Sequence, residues 1–144
     1  MTARSPLLLA YRALTAIATP LLPAWLMWRL SRGKEDRERL GERRGLAGLN
    51  RPKGRLAWLH GASVGEALAL QPLIQRLRVR GFTVLLTTGT LTSARVMEDR
   101  LSEGVIHQFA PLDSAHYVNR FLDHWLPDIA LFAESELWPN MLLE

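Results

Sequence analysis

The sequence predicts an α/β fold built on a parallel sheet, with an apolar helix in front of it. Four short apolar runs, Leu56–His60, Phe82–Thr88, Val105–Phe109 and Ile129–Ala133, recur with stretches of helical periodicity between them. Strands that alternate with helices pair in parallel through right-handed crossovers, which makes the sheet Rossmann-like. Before it, 16 uncharged residues lie between Arg12 and Arg29 and are followed by a cluster of Lys and Arg.

The N-terminal segment, residues 1–30, reads as a membrane-anchor or interfacial helix. Sixteen residues of helix cover roughly 24 Å, short of a bilayer core of about 30 Å. Pro20 and Pro23 would kink it, and Trp25 and Trp28 suit the headgroup level. These features favour a kinked interfacial anchor over a full span. A cleaved signal would end in small residues rather than in Trp-Met-Trp-Arg. A buried helix of a soluble protein is the other alternative, and Arg12 interrupts its apolar stretch.

Residues 31–54 carry several glycines and Pro52 among charges, and read as a basic linker with at most a short helix over Lys34 to Leu40. Within it Arg43 and Arg44, in Gly41-Glu42-Arg43-Arg44-Gly45, are candidate substrate-binding residues, because guanidinium forks pair with phosphate oxygens. A solvated loop touching lipid headgroups explains the same residues equally well.

Residues 55–144 form the Rossmann-like domain. The first strand, Leu56–His60, is apolar throughout, as a strand covered on both faces must be. Ser63-Val64-Gly65-Glu66 follows and fits a capping box, in which Ser and Glu satisfy each other's backbone N–H groups. Leu70, Leu73, Ile74 and Leu77 then mark a helix that Pro72 kinks or starts and Gly81 ends. The second strand runs into Gly89-Thr90-Leu91-Thr92-Ser93, a hydroxyl-rich turn able to cap a helix over Ala94 to Leu101. After the third strand, Asp113-Ser114 caps a helix with the stripe Tyr117, Val118, Phe121, Leu122 and Trp125, closed by Pro127. The fourth strand leads into Glu134-Ser135-Glu136-Leu137-Trp138-Pro139.

In the order 3-2-1-4 the winding reverses between strands one and four, and ligands bind in the crevice that such a reversal opens at the carboxyl edge. Glu66 follows strand one and Glu134 follows strand four, so both acids belong to that cleft. Ser63, Gly65 and Thr90, on turns of the same edge, are candidate substrate-binding positions. The structural alternative for Glu66 is the helix cap alone.

Composition narrows the chemistry. The chain has no Cys, so disulfides and thiolate chemistry are excluded, and its 4 His residues lack metal-ligand spacing. The net charge of +4 is uneven: residues 29–55 hold ten Lys/Arg against four Asp/Glu, while residues 56–144 hold six against ten. Nucleic-acid binding would place the basic face on the fold itself. A basic segment behind an apolar one instead suits an anionic membrane surface on the cytoplasmic side.

Taken together, His60-Gly61-Ala62-Ser63-Val64-Gly65-Glu66, the Thr87–Thr92 turn, Ala110-Pro111-Leu112-Asp113, Asn119-Arg120-Phe121 and Glu134-Ser135-Glu136-Leu137-Trp138-Pro139-Asn140 resemble the N-terminal half of lipid A 3-deoxy-D-manno-octulosonic acid (Kdo) transferases. The resemblance covers essentially the whole chain. One departure is Thr90-Leu91-Thr92-Ser93-Ala94, where the family pattern reads TPTGS.

The resemblance implies the N-terminal, acceptor-side half of a GT-B glycosyltransferase. Such an enzyme transfers Kdo from CMP-Kdo to lipid IVA, a lipid A precursor, with inversion, at the cytoplasmic face of the inner membrane in lipopolysaccharide synthesis. By motif position Glu66 would be the general base and Glu134 a transition-state stabiliser; Glu136 has no assigned role. A carboxylate at a helix N-terminus is favoured in its ionised form, ready to accept a proton. No cofactor is expected beyond the donor CMP-Kdo, which would bind through a C-terminal domain outside this sequence. The sequence contains no G-x-G-x-x-G loop. It therefore reads as an inactive half when alone, whether a fragment, a truncated product or part of a split enzyme. The alternative is a non-catalytic module that binds anionic lipid.

Overall fold

The computed structural model describes residues 5–133 and 138–144. Helix α1 (Pro6–Ala18) passes through a 3₁₀ turn at Thr19–Leu21 into α2 (Leu22–Ser31), and a second 3₁₀ turn covers Leu40–Arg44. Then come β1 (Leu56–His60), α3 (Val64–Ala69), α4 (Gln71–Val79), β2 (Thr83–Thr88), α5 (Leu91–Glu98), β3 (Val105–Phe109), α6 (Ala115–Trp125), β4 (Ile129–Phe132) and α7 (Pro139–Leu143).

The four strands form one parallel sheet, as the alternation predicts, and their order is β3-β2-β1-β4. Side chains alternate across a strand, so β1 feeds two cores. Ala57 and Leu59 pack with Ala67, Ile74, Leu77 and Met97, under α3, α4 and α5. Leu56 and Trp58 pack with Val118, Phe121 and Trp125, under α6. The change of face between α5 and α6 accompanies the return of β4 to the far side of β1. The reversal point thus lies between β1 and β4. All five residues of β1 are buried, whereas β4 is a half-exposed edge.

Several boundaries differ from the sequence reading. The apolar helix breaks at Leu70, which places Pro72 in the first turn of α4, where its missing N–H costs nothing. Helix α5 starts at Leu91, three residues before the expected Ala94, because Thr90 and Ser93 form a capping box of their own. Asp113 does not cap α6. Its carboxylate accepts the N–H groups of Asn140 (3.2 Å) and Met141 (2.9 Å) at the start of α7, together with the Tyr11 hydroxyl (2.7 Å).

The basic segment is a strap packed on the sheet, and its helical stretch is at Leu40–Arg44 rather than over 34–40. Several of the charges that suggest a solvated linker are paired within the strap. Arg39 holds both oxygens of Glu42 at 3.0 and 2.9 Å, and Glu42 in turn accepts the N–H of Phe109 at 2.7 Å. The Phe109 ring lies between two guanidiniums, Arg39 at 4.7 Å and Arg43 at 4.4 Å. Gly45 closes the strap in a left-handed conformation, and a Cβ there would meet the Tyr117 carbonyl oxygen at 2.1 Å.

The N-terminal helices show the proline kink as the 3₁₀ turn. Amphipathicity in α1 is inverted: its polar stripe faces the domain. Tyr11 donates to Asp113, Thr15 accepts from Asn140 Nδ2 (3.1 Å), Thr19 bonds Ser114 (2.7 Å), and Arg12 pairs with Glu144. Outside stand Leu7, Leu14 and Ile17, at 80%, 67% and 74% exposure. In α2 only Leu26 is buried.

His107 supplies a pH dependence. Arg39 donates to its Nδ1 at 2.9 Å and Nε2 meets the Thr88 hydroxyl at 2.8 Å. Burial first, then the Arg39 and Arg43 charges, push its pKa down to about 4 from the ordinary 6.5. Below pH 6.5 the unfolded chain takes up a proton that the folded chain refuses, so stability falls from pH 6.5 to pH 4 and is unaffected by this group above that window. The loss is at most about 3 kcal/mol, reduced by partial exposure. Urea titrations at several pH values should show a shallower acid-side fall for His107→Gln than for the parent chain; superimposable curves would discount the residue.

Candidate functional site

The carboxyl edge of the sheet is formed by the turns after β1 and β2, and glycines let them touch. Gly61 N–H donates to the Thr87 carbonyl and Gly89 N–H to the Ala62 carbonyl, both at 3.1 Å. A Cβ on Gly61 would stand 2.8 Å from the Ala67 nitrogen, and one on Gly89 would stand 3.1 Å from the Ala62 oxygen. The two turns therefore form one platform.

On that platform Ser63 and Glu66 form the expected capping box, but a loose one. Glu66 N–H reaches Ser63 Oγ at 3.3 Å, and Ser63 N–H reaches Glu66 Oε2 at 3.2 Å. The carboxylate is half-buried, and its Oε1 accepts no hydrogen bond among the described residues. Around Gly65 the Cβ direction is open space. Thr90, exposed, caps α5 through Ser93 N–H at 3.1 Å. Glu134 and Glu136 lie outside the described residues.

Beside the platform lies a cavity of about 570 Å³, bounded by α1 and α2, the loop after β3, and the start of α7. His60, Ala62 and Gly89 line it from the sheet edge. His60 was not singled out in the sequence. It ends β1 on the Trp58 face, is buried, and bonds the Thr87 hydroxyl through Nδ1 at 2.9 Å. Trp58 Nε1 donates to the same hydroxyl at 2.9 Å, so the hydroxyl's own proton goes to His60 Nδ1 or to the Leu59 carbonyl at 3.5 Å. A histidine that ends a buried strand was the available signal.

Arg43 also lines the cavity, but the expectation of a solvated loop around it is corrected. Its side chain is 5% exposed, and Nε donates to Glu35 Oε2 at 2.9 Å. Nη2 donates to the Gly89 carbonyl at 2.7 Å. Burial lowers its pKa from the ordinary value, opposed by the neighbouring Glu35 carboxylate. Glu35 takes Arg29 on its other oxygen at 2.7 Å. Arg44 is not brought to this site: its carbonyl accepts from Arg120 at 3.2 Å, and its Nε is buried without a hydrogen bond among the described residues. Thus Ser63, Gly65, Glu66 and Thr90 share the platform, Arg43 braces it from below, and Arg44 lies apart.

Fold and edge together define a doubly wound α/β domain with polar groups gathered at the carboxyl ends of its strands, beside the reversal point. The chain belongs to the 3-deoxy-D-manno-octulosonic-acid transferase (kdotransferase) family, whose sequence profile matches residues 38–144. It is 42% identical over 135 residues to an Arabidopsis thaliana protein named "Probable 3-deoxy-D-manno-octulosonic acid transferase, mitochondrial", covering 92% of this chain and 30% of that one. The 3-deoxy-D-manno-octulosonic acid transferases of Rickettsia bellii and Haemophilus influenzae are 33% and 30% identical over 93% and 92% of this chain, and 32% of each relative. The chain spans about a third of the length of these relatives.

The Arg29–Glu35–Arg43 triad should be essential to the folded edge. Removing one partner of a buried ion pair strands the other charge, at a cost of about 3–5 kcal/mol. Denaturant unfolding of Glu35→Ala should show a loss of that size; a change below about 1 kcal/mol would mean that the guanidiniums find other partners.

Proposed function

We propose that this chain is the acceptor-binding part of an inverting GT-B glycosyltransferase that moves Kdo from CMP-Kdo to the lipid A precursor lipid IVA. In this reading Glu66 takes the proton from the acceptor hydroxyl as that oxygen attacks the anomeric carbon of Kdo, and CMP departs with the electron pair of the broken bond. Glu134 is assigned to charge stabilisation in the transition state, and CMP-Kdo to a partner domain. Ser63, Gly65 and Thr90 are assigned to the acceptor side of the cleft. The observation that carries the reading is the position of Glu66: it follows β1 at the carboxyl edge, with one oxygen loosely held and the other unused among the described residues. A base needs that free oxygen, and a cap alone does not. Family membership supports the choice of substrates.

The reaction is assigned to a membrane surface, the cytoplasmic face of the inner membrane. Among the described residues, Pro6–Ser31 is one helical run of 26 residues, long and apolar enough to cross a membrane by length and composition. Its contacts argue for lying in the interface instead. A helix hydrogen-bonded to the domain from Tyr11 to Thr19 cannot stay docked and also pass through a bilayer. The outward Leu14 and Ile17 then enter the lipid, and basic residues after α2 meet anionic headgroups.

Two measurements test these assignments. Gln can reach back in a capping box as Glu does, so Glu66→Gln separates cap from base. Assayed together with a donor-binding domain, Glu66→Gln should leave thermal stability unchanged and lower CMP release by at least ~10²-fold. Full activity would leave Glu66 as a cap only. For the membrane, Leu14→Glu with Ile17→Glu touches none of the contacts to the domain. Co-sedimentation with anionic vesicles should drop at least tenfold in this variant and weaken with salt in the parent chain; unchanged binding would remove the anchor.

A further inference from the structure

Four apolar residues of β1 lead to a histidine at its carboxyl end, and that residue is buried at 3% exposure. An apolar side chain would fill such a place with no polar atoms to satisfy. The register sets His60 between Thr87 on β2 and Phe132 on β4. Its ring reaches both: Nδ1 bonds the Thr87 hydroxyl at 2.9 Å, and the Phe132 ring lies edge-on with its centre 5.7 Å away. The same hydroxyl accepts from Trp58 Nε1 at 2.9 Å. One side chain thus spans the ends of three strands.

The backbone at this residue meets the two segments that lead to the acids. The His60 carbonyl accepts the N–H of Ala133 at 2.9 Å, and Ala133 is followed in the sequence by Glu134. Gly61 N–H is held by the Thr87 carbonyl at 3.1 Å. A Cβ on Gly61 would stand 3.1 Å from the carbonyl carbon of Glu66, so the backbone of Glu66 rests on the residue that follows His60. A shift of the His60–Gly61 junction would therefore move Glu66 and the strand end from which the chain continues into Glu134. Displacing a reacting group by about 1 Å costs on the order of 10²-fold in rate.

We propose that His60 is a positioning residue: its ring pegs the ends of β1, β2 and β4 at one level, and so sets where Glu66 stands relative to the end of β4. The peg is a property of the sheet edge, and its importance for turnover rests on the proposed transferase function.

Hydrogen exchange on the full chain reads the peg without any activity. In His60→Leu, and in Thr87→Val, which removes the hydroxyl and keeps the shape, the amides of Gly61 and Ala133 should exchange at least fivefold faster, with those of Val84 and Leu86 in mid-strand unchanged. His60→Asn keeps a polar atom in the place of Nδ1 and should stay within about twofold of the parent. If His60→Leu unfolds, Thr87→Val and His60→Asn carry the same comparison. CMP release, assayed together with a donor-binding domain, gives the functional side. There kcat should fall at least tenfold in His60→Leu and in Thr87→Val, and no further in the double variant, while KM for CMP-Kdo stays within about twofold. His60→Asn should recover to within about threefold, and His60→Gln, whose polar atom takes the place of Nε2, should not. Parent-like exchange at Gly61 and Ala133 in the Leu and Val variants would overturn the proposal. So would losses that add in the double variant, or recovery by Gln and not by Asn. The two assignments fail separately. A parent without CMP release, or a fully active Glu66→Gln, removes the transferase assignment and leaves hydrogen exchange to decide the peg; an impaired Glu66→Gln beside an unimpaired His60→Leu removes His60 alone.

Discussion

The carboxylate of Glu35 is the joint on which the arrangement depends. One oxygen holds Arg29 on α2 and the other holds Arg43 on the strap, and Arg43 passes the connection to the Gly89 carbonyl at the carboxyl edge. Helix, strap and platform thereby meet at a single side chain that is 2% exposed. Buried ion pairs of this kind add little net stability over an apolar packing, but they are costly in any arrangement that leaves one member alone. The triad consequently selects one placement of α2 against the sheet. Apolar contact could not do so by itself, because Leu26 is the only buried residue that α2 contributes.

Under the proposed function one residue of the platform would serve two purposes. At a helix start, a carboxylate three residues after a Ser is a common solution to unsatisfied N–H groups. Here both hydrogen bonds of the box are at the long end of the range, 3.2 and 3.3 Å. A weak cap gives up little when another group approaches the carboxylate. Local stability and availability are in competition at Glu66, and the geometry is set toward availability.

Much of the sheet was legible in the sequence because buried parallel strands leave a plain trace. Leu56–His60 and Val105–Phe109 begin and end where the apolar runs do, and the parallel pairing follows from the helical crossovers between them. The Ser63–Glu66 box could be read because both partners lie within one turn. What could not be read depends on partners far along the chain. Asp113 looks like a cap for the helix just after it, yet its acceptors are filled by α7 and by Tyr11, 102 residues away. Arg43 and Glu35 look like surface charges until the strap folds over Phe109. His60 opens the His60–Glu66 motif, but nothing local gives its ring a partner; only the register with Thr87 reveals the bond to that hydroxyl.

The inverted face of α1 has a consequence for how the molecule could move once it meets a bilayer. A helix joined to its domain by a flexible tether would leave that domain free to tumble. Here Tyr11, Thr15 and Thr19 are bonded to the domain along one side of the helix, while the opposite side is the apolar one. Laying the apolar side in the interface therefore fixes the tilt of the whole sheet. Of six rigid-body freedoms, two translations in the plane and rotation about the membrane normal would remain. Under the proposed function, encounters with a lipid acceptor would then become a search over an area at constant height, governed by the surface density of that lipid and not by its bulk concentration.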